Sequence, residues 1–497
     1  MFYTSTRDKS IKVTSSQAIS HGISAEGGLF VPEEIPHITM DDIVRLSDCD
    51  YIERAKQILS LYLTDFTEEE IDSCVRGAYG EGKFSSKKIA PLHTLKKDVE
   101  ILELWKGPTC AFKDMALQLL PYLLTVAAGK TAPDKTIVIL VATSGDTGKA
   151  ALEGFKDVDG TKIMVFYPND GVSPMQKLQM TTQEGQNVGV CAINGNFDDA
   201  QSGVKRIFTD KNVEKKLAEN NMMFSSANSI NWGRLVPQIV YYISAYCDLV
   251  ENKSIENGDE INVVVPTGNF GNILAAYYAK RMGLPIQKLI CASNSNNVLT
   301  DFFKTGKYDK NRKFFTTESP SMDILISSNL ERLLFHLSGE NDEIVRTWMS
   351  ELSKDGVYSV GDDVKKQIFD LFDAGCCDDE ETTKTIEETY KQGYLLDTHT
   401  AVAVKVYNDY FKKTGDETVT VVASTANPYK FSAAVLKAVC SDDLSGADEF
   451  EQVELLTEKT HVPCPPQLSS LKGKTPRFTD CCEKEDMAKA VYNMLGI

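Results

Sequence analysis

The stretch Ile137-Val138-Ile139-Leu140-Val141 and the loop after it, Ala142-Thr143-Ser144-Gly145-Asp146-Thr147-Gly148-Lys149, decide the fold class. The first segment is an unbroken apolar run rich in β-branched residues, which is typical of a parallel strand buried on both faces. The glycines let the backbone turn sharply, and a helix is predicted to follow at 149–155. A buried strand, a glycine-rich loop and a helix form the repeating unit of an α/β fold.

The same alternation continues on both sides of this unit. Strands are predicted at 162–167, 188–193, 261–265, 289–292 and 418–423, with helices between them. One long charged helix is predicted from 198 to about 220. Residues from about 300 to 395 lose the alternation and are predicted to be a mostly helical insertion. We therefore divide the chain into an N-terminal unit (1–95), an α/β catalytic region (96–440) and a C-terminal segment (441–497).

Composition and charge restrict the possible partners. The chain has 497 residues, of which 42% are hydrophobic and 25% charged, as in a soluble globular protein. Its 53 Lys and Arg against 71 Asp and Glu give a net charge of −18. Such a chain repels nucleic acids and anionic membranes, so neither is an expected partner. An anionic small molecule would need a local site.

The cysteines and the N-terminus suggest a location. The twelve cysteines include no CxxC pair, which argues against a zinc ribbon or a disulfide scaffold. We find no signal peptide and no apolar run of about 20 residues, so we expect a cytoplasmic protein. The six histidines do not cluster, and neither a metal site nor a Ser-His-Asp triad is supported.

A lysine at a loop-to-helix junction is the first candidate for chemistry. Lys113 lies in Pro108-Thr109-Cys110-Ala111-Phe112-Lys113-Asp114, and Leu117, Leu120 and Leu124 follow at helical spacing. We predict that Asp114 caps this helix. A lysine fixed there can present its amine to a carbonyl, such as the aldehyde of pyridoxal phosphate. The alternative, a surface lysine beside its cap, is far more common for any single lysine.

Two glycine-rich loops at strand ends are candidates for anion binding. Residues 142–149 resemble a P-loop only superficially, because Thr143 stands where the first glycine is required and Ala150 where Ser or Thr is required. The helix after this loop favours a carboxylate or a phosphate. Pro266-Thr267-Gly268-Asn269-Phe270-Gly271-Asn272 also leads from a strand into a helix, and can hold a phosphate without lysine or arginine. A purely structural turn is equally compatible with this second loop.

Two further polar stretches could contribute. Ala423-Ser424-Thr425-Ala426-Asn427-Pro428 follows a strand, and a hydroxyl there could hydrogen-bond a pyridine nitrogen; a helix cap is the alternative. The segment 225–234 ends in Arg234, which could hold a substrate phosphate bidentately or form a structural ion pair.

In combination, these stretches resemble threonine synthase of the class shared by fungi and many bacteria. The resemblance covers nearly the whole chain. It rests on Tyr3-Thr4-Ser5-Thr6-Arg7, Glu26-Gly27-Gly28-Leu29-Phe30-Val31-Pro32, 108–114, 142–148, Ser226-Ala227-Asn228-Ser229-Ile230-Asn231-Trp232-Gly233-Arg234, 268–272 and Ser424-Thr425-Ala426. It implies a tryptophan-synthase-β-like α/β fold (pyridoxal-phosphate fold type II) with mostly parallel sheets in two domains, an N-terminal extension and a helical insertion.

The resemblance also assigns the site residues. Lys113 would be the catalytic lysine, joined to pyridoxal 5'-phosphate as a Schiff base. The cofactor phosphate would be held by Gly268, Asn269, Phe270, Gly271 and Asn272. Thr425 would face the pyridine nitrogen, with Ser424 as the fallback. Ser144, Asp146, Thr147 and Arg234 would bind substrate, with Asp146 near the cofactor ring oxygen. Asp146 occupies a place where many fold-type relatives have asparagine, and aspartate there is usual in threonine synthases.

The implied reaction is the last step of threonine biosynthesis. A lyase of this family converts O-phospho-L-homoserine and water to L-threonine and phosphate by β,γ-elimination and replacement. Two alternatives stay open, a serine or threonine dehydratase with the same lysine and phosphate loop, and a catalytically silent homologue that binds phosphorylated ligands or a protein. By analogy with the class we expect a monomer, with a homodimer as the alternative.

Overall fold

The strand predicted at 137–141 is an inner strand of a five-stranded parallel sheet. The computed structural model describes residues 1–143, 145–170, 172–440 and 446–497. Within these residues the strands are β1 (Tyr3–Ser5), β2 (Asp8–Val13), β3 (Phe30–Pro32), β4 (Leu92–Lys96), β5 (Val99–Glu103), β6 (Thr136–Ala142), β7 (Thr161–Pro168), β8 (Val188–Asn194), β9 (Met222–Ser225), β10 (Ile261–Pro266), β11 (Ile286–Ser293), β12 (Lys307–Asp309), β13 (Val357–Ser359), β14 (Phe372–Cys376), β15 (Thr420–Ser424) and β16 (Cys481–Glu483).

Helices separate most of these strands. They are α1 (Ser15–His21), α2 (Met40–Ser47), α3 (Tyr51–Tyr62), α4 (Glu68–Tyr79), α5 (Asp114–Leu117), α6 (Leu120–Thr131), α7 (Asp146–Phe155), α8 (Pro174–Thr181), α9 (Phe197–Thr209), α10 (Lys211–Glu219), α11 (Trp232–Glu251), α12 (Gly271–Arg281), α13 (Val298–Thr305), α14 (Leu330–Leu337), α15 (Asp342–Lys354), α16 (Asp362–Leu371), α17 (Asp379–Lys391), α18 (Thr398–Thr414), α19 (Ser432–Val439), α20 (Glu449–Thr460), α21 (Pro466–Ser469) and α22 (Met487–Leu495). Short 3-10 turns occur at Pro320–Met322 and Pro428–Phe431.

Two large sheets carry the architecture. The six-stranded sheet has the order β14-β11-β10-β15-β5-β4, in which β4 runs antiparallel to β5 and the other pairs are parallel. The five-stranded sheet has the order β16-β8-β7-β6-β9 and is parallel throughout. Helices cover both faces of each sheet, which explains the continuous apolar strands. The predicted α/β class with mostly parallel sheets is confirmed.

The region from 300 to 395 contains a strand that the sequence did not predict. It is largely helical, as expected, but β14 pairs in parallel with β11, with Cys291 opposite Ala374. The segment Phe-Asp-Ala-Gly-Cys has no alternation and few β-branched residues, so its strand conformation depends on the edge of β11. Part of the insertion therefore extends the main sheet.

The prediction of one helix from 198 to about 220 is wrong. The segment forms α9 and α10, which are separated at Asp210, where the backbone is extended with ψ of 113°. The Asp210 carboxylate accepts a hydrogen bond of 2.8 Å from the amide of Asn212. An aspartate that caps a new helix start satisfies amides that a continuous helix would have bonded internally.

The N-terminal unit packs on α11 of the catalytic region. Arg54 on α3 and Asp248 on α11 form a buried ion pair, with 2.7 Å between Nη1 and Oδ1. Arg54 Nε also donates to the carbonyl of Leu46 at 2.8 Å, and Nη1 donates to the hydroxyl of Ser244 at 2.9 Å. One guanidinium thus joins three helices.

The described part of the chain shows no helix that is long and apolar enough to cross a membrane. Within the same residues, no three His, Cys, Asp or Glu side chains are grouped as they would be to hold a metal ion.

The Arg54–Asp248 pair yields a stability prediction. Asp248→Ala would leave a buried guanidinium without its carboxylate, and should lower the free energy of unfolding by about 3–5 kcal/mol. Urea denaturation followed by circular dichroism measures this. Glu214→Ala, which removes one partner of the exposed Lys211–Glu214 pair, is the control and should leave the midpoint unchanged. Equal midpoints for both variants would contradict the role of the buried pair.

Candidate active site

Three of the predicted loops leave the six-stranded sheet at one edge. The loops that contain Lys113, residues 268–272 and Thr425 follow β5, β10 and β15, which are neighbours in the sheet. Their pairing is parallel, with Val264 opposite Val422 and Ser424 opposite Glu103. The carboxyl ends of adjacent parallel strands meet at the same edge, where open α/β sheets bind ligands.

Backbone hydrogen bonds hold the Lys113 loop against the end of β15. The amide of Phe112 donates to the carbonyl of Thr425 at 2.8 Å, and the amide of Asn427 donates to that of Cys110 at 3.0 Å. Ala111 and Ala426 form an isolated antiparallel bridge between these bonds. The backbone at Lys113 is therefore fixed directly beside Thr425.

The prediction that Asp114 caps the following helix is wrong. Lys113 precedes α5, and Asp114 is its first residue. The buried Asp114 carboxylate instead accepts the amide of Thr109 at 2.8 Å and its hydroxyl at 2.6 Å, which closes the loop in front of the helix. Burial raises the pKa of Asp114 to about 6, although the Thr109 hydrogen bonds oppose this rise.

The Lys113 amine has no hydrogen bond or ion pair within the described residues. Its Nζ lies 4.9 Å from the centroid of the Phe112 ring. Burial lowers the pKa of Lys113 to about 8; the charges of Lys430 and Arg234 act in the same direction, and Asp146 opposes them. A lysine with such a pKa is about one-tenth neutral at pH 7, far more than an ordinary lysine, and a nucleophile or a general base requires that neutral form.

The 268–272 loop forms a cradle whose backbone amides donate no hydrogen bond within the described residues. A Cβ atom at Gly268 would lie 2.7 Å from the carbonyl oxygen of Ser321, so this position requires glycine. Phe270 has a left-handed backbone with φ of 67°, and α12 begins at Gly271 without a side-chain cap. The amides of the first helical turn can therefore bind an anion.

Asn272 adds an unused donor to this cradle. Its Oδ1 accepts hydrogen bonds from the hydroxyls of Tyr241 at 2.6 Å and Tyr242 at 2.5 Å. Its Nδ2 is buried and has no partner among the described residues. Asn269 lies at the exposed side of the loop, and its carbonyl accepts a hydrogen bond from Asn329 Nδ2 at 3.0 Å. The set of donors fits a phosphate group.

The two hydroxyls after β15 differ in their availability. Ser424 Oγ already accepts hydrogen bonds from Trp105 Nε1 at 2.9 Å and from Thr400 Oγ1 at 3.0 Å. Thr425 is buried, and within the described residues its hydroxyl makes no hydrogen bond. The geometry thus favours Thr425 over Ser424 for contact with a ligand.

The loop after β6 belongs to the five-stranded sheet, and the Thr143 side chain stabilises it with hydrogen bonds. Thr143 Oγ1 accepts the amides of Gly145 and Gly148, each at 3.0 Å. Thr147 is half-buried, and its hydroxyl has no bond to the described part of the chain. Ser144 lies outside the described residues, so its predicted role cannot be related to a position.

Asp146 is buried at the start of α7 and is held by two side chains. Lys430 Nζ lies 2.9 Å from Asp146 Oδ1, and Gln176 Nε2 donates to the same oxygen at 3.0 Å. Burial alone would raise the pKa of Asp146, but the charges of Lys430 and Lys113 and these hydrogen bonds hold it below its ordinary value. Asp146 is therefore an anion at neutral pH.

Arg234 is buried near Lys113 without a carboxylate partner in the described residues. Its Nη1 donates to the carbonyl of Ala227 at 2.9 Å, while its buried Nε has no partner there. Burial lowers the pKa of Arg234 to about 10. The structural ion pair considered from the sequence is thus not observed, and an unused guanidinium donor fits an anionic ligand.

Sequence reasoning missed Lys430 and Gln176. Lys430 lies in a 3-10 turn six residues after Ser424. The only signal for Lys430 in the sequence was its position shortly after the polar stretch 423–428. Gln176, on α8, has no local signal, because its contact with Asp146 joins elements that are distant in the sequence.

Judged by the described residues, the arrangement combines an amine without a partner (Lys113), an uncapped helix start, two unpartnered donors (Asn272 Nδ2 and Arg234 Nε) and a hydroxyl without a hydrogen bond (Thr425). These groups fit a phosphate-bearing aldehyde that reacts with Lys113, together with a second anionic group near Arg234. The donor set therefore fits pyridoxal phosphate and a phosphorylated substrate.

Comparison with known families agrees with this chemistry. Residues 89–425 match the family of pyridoxal-phosphate dependent enzymes. Residues 2–79 match the threonine synthase N terminus, and residues 400–491 match the C-terminal region of threonine synthase.

Individual relatives cover almost the whole chain. Threonine synthase-like 1 of Homo sapiens is 42% identical over 93% of this chain, which spans only 62% of that relative's length. Threonine synthase of Schizosaccharomyces pombe is 38% identical, over 88% of this chain and 89% of the relative. The crystal structure of PLP-bound threonine synthase from Brucella melitensis covers 100% of this chain and 99% of its own, with 36% identity and a TM-score of 0.88. These findings confirm the fold-type-II prediction, and the chain belongs to the threonine synthase family of pyridoxal-phosphate dependent enzymes.

Proposed function

We propose that this protein is a threonine synthase, which converts O-phospho-L-homoserine and water to L-threonine and phosphate with pyridoxal phosphate as cofactor. The observation that carries the proposal is the buried Lys113 amine, which has no hydrogen bond or ion pair within the described residues and whose pKa of about 8 suits proton transfer, at the sheet edge where the 268–272 loop also begins. The 268–272 cradle would take the cofactor phosphate. The buried Arg234 would take the phosphate of the substrate.

The other roles follow from the contacts. Thr425 would face the pyridine nitrogen, since the Ser424 hydroxyl already accepts two hydrogen bonds. Asp146 would lie near the cofactor ring oxygen as an anion. Ser144 and Thr147 would bind the substrate carboxylate, as the loop before α7 suggests. Gly268, Asn269, Phe270, Gly271 and Asn272 together would form the phosphate cradle.

The protein's contribution to the reaction is proton transfer and charge placement. When bound, pyridoxal phosphate supplies an electron sink for negative charge at the substrate α-carbon. Lys113 Nζ would take the proton from Cα and, once it has released that proton to solvent, a second proton from Cβ. After the phosphate leaves, it would give one proton to Cγ. The oxygen of water would then bond to Cβ as the water loses a proton, a proton would return to Cα, and the remaining proton would go to the released phosphate. Arg234 would hold the phosphate in place until the Cγ–O bond breaks.

The finer organisation belongs to the same proposal. We propose the division into 1–95, 96–440 and 441–497, a monomer with a homodimer as the alternative, and a cytoplasmic location. The contact of β16 with β8 suggests that the last segment is needed to complete the five-stranded sheet.

Replacement of Lys113 tests the proposal directly. Lys113→Ala should lower the release of phosphate and threonine from O-phospho-L-homoserine by at least about 10²–10⁴-fold, because no other free amine is found at this edge within the described residues. Enzyme-coupled phosphate and amino-acid assays measure both products. The control is Lys211→Ala, at a side chain that is 88% exposed, and it should retain full activity.

The product ratio separates the alternatives. Equal amounts of phosphate and threonine support the proposal. Phosphate with a keto acid would mean that elimination occurs without water addition, and keto acid from threonine itself would indicate a dehydratase. Purified wild type that contains cofactor but forms neither product would favour a catalytically silent homologue.

Asn272→Asp tests the phosphate cradle with a change of one atom. The new oxygen replaces the unpartnered Nδ2, while the acceptor of Tyr241 and Tyr242 is retained. Loss of one hydrogen bond to a charged group costs about 1.5–3 kcal/mol. The Kd for pyridoxal phosphate, measured by equilibrium dialysis, should therefore rise about 10–100-fold. Asn220→Asp on the surface is the matched control, and an unchanged Kd for Asn272→Asp would remove Asn272 from the cradle.

Arg234→Lys tests the substrate phosphate. Lysine keeps the charge but cannot offer two parallel N–H donors, so KM for O-phospho-L-homoserine should rise about 10-fold or more. The cofactor Kd should not change. Arg76→Lys, at an exposed side chain, is the control. An unchanged KM, or a loss of cofactor in place of substrate affinity, would contradict the assignment.

A further inference from the structure

Lys430 is a fully buried lysine that the proposed reaction does not use. It lies in the 3-10 turn Pro428–Phe431, and its side chain is inaccessible to solvent. The turn is fixed by Asn427, whose side chain accepts the amide of Tyr429 at 3.0 Å and whose carbonyl accepts the amide of Lys430 at 3.0 Å. The backbone at Lys430 is therefore fixed by hydrogen bonds.

Each donor of the Lys430 ammonium has an acceptor on a different element. Nζ lies 2.9 Å from Asp146 Oδ1 at the start of α7 and 2.9 Å from the carbonyl oxygen of Thr109 in the Lys113 loop. It also lies 3.3 Å from Gln179 Oε1 on α8. An ammonium has three donors, and all three are engaged here. Lys430 thus connects the two sheets at the edge where Lys113 lies.

This geometry argues against Lys430 as a second base. A base needs a free lone pair directed at the substrate, and the Lys430 ammonium is directed at three protein acceptors. Its closest charged neighbour is Asp146, which has no other cation within ion-pair distance among the described residues. The charge of Lys430 therefore acts on Asp146.

We propose that Lys430 is a positioning residue that keeps the Asp146 carboxylate ionised and joined to the Lys113 loop. The inference deepens the proposed function, since it explains how a buried aspartate stays an anion beside the catalytic lysine. Burial by itself favours the neutral acid, so the anion depends on nearby positive charge. Loss of the Lys430 charge should let Asp146 bind a proton near neutral pH.

Several other charged or titratable groups act on this cluster. The groups with an electrostatic influence on Asp146, Lys113 or Asp114 include Lys430, Lys113, Arg234, Asp146, Asp114 and Glu153. Asp114 titrates with a pKa of about 6 and would obscure a simple pH profile. The test therefore needs a signal that belongs to Asp146 alone.

Infrared titration of the cofactor-free protein gives that signal. Protein labelled with ¹³C-aspartate is used, and the carboxylic-acid band that disappears when Asp146→Asn is introduced is assigned to Asp146. In wild type and Lys430→Arg this band should be absent between about pH 5 and pH 9. In Lys430→Met it should grow as the pH falls through neutrality. A Lys430→Met protein without the band throughout this range would overturn the proposal.

Kinetics of the holoenzyme measure the energetic coupling between Lys430 and Asp146. Lys430→Met should gain an acid limb, with kcat/KM falling up to about tenfold per pH unit below the new Asp146 pKa. Lys430→Arg should retain the wild-type profile. In an Asp146→Asn background, Lys430→Met should change kcat/KM by less than about twofold, because a residue that acts through Asp146 has nothing left to act on. An undiminished effect there would overturn the proposal.

Lys430 variants that fail to fold also test the proposal. Lys430→Met leaves a buried carboxylate without its cation, and the double variant Lys430→Met/Asp146→Asn removes both charges. If only the single variant is unfolded, the dependence of Asp146 on Lys430 is supported. If the double variant is unfolded as well, Lys430 acts independently of Asp146 and the proposal fails. Absence of threonine synthase activity in wild type would refute the proposed function, and the infrared comparison would still decide the role of Lys430.

Discussion

Parallel pairing of β10, β15 and β5 is the constraint on which the site depends. Three adjacent strands that run in one direction must end at one edge, so the loops that follow them converge whatever their sequences are. The bridge between Ala111 and Ala426 then fixes the Lys113 loop to the end of β15. Chemistry at this edge needs only suitable side chains, because the backbone has already placed them.

Burial of charge at this edge is the second feature of the site. Lys430 and Lys113 act on Asp146, Lys430 also acts on Asp114, and Arg234 acts on Lys113, and all are largely withdrawn from water. The same desolvation lowers the pKa of Lys113 to about 8 and raises that of Asp114 to about 6. Asp146 escapes this effect because two cations lie near it. Burial thus makes the Lys113 amine easier to deprotonate, while nearby positive charge keeps the Asp146 carboxylate ionised.

Local sequence patterns predicted the correct element type in most of the α/β region. They failed where a long-range contact determines the local conformation. β6 and β10 are apolar runs that any parallel sheet would bury, so their prediction was secure. β14 has no such pattern and becomes a strand because the edge of β11 is available. The Asp114 cap failed for a similar reason. Aspartate before a helix usually caps it, but the amide and hydroxyl of Thr109 satisfy this carboxylate first.

The sequence by itself determined the family and the fold class, and it singled out the candidate lysine and the candidate phosphate loop, because each depends on residues that are contiguous in the chain. Tertiary structure alone decided which donors remain free, namely Arg234 Nε, Asn272 Nδ2 and the hydroxyl of Thr425 among the described residues. It also decided that Lys430 meets Asp146, a residue 284 positions earlier in the printed numbering. The physical reason is that hydrogen-bond saturation and desolvation depend on every neighbour in space, and local spacing in the sequence does not record those neighbours.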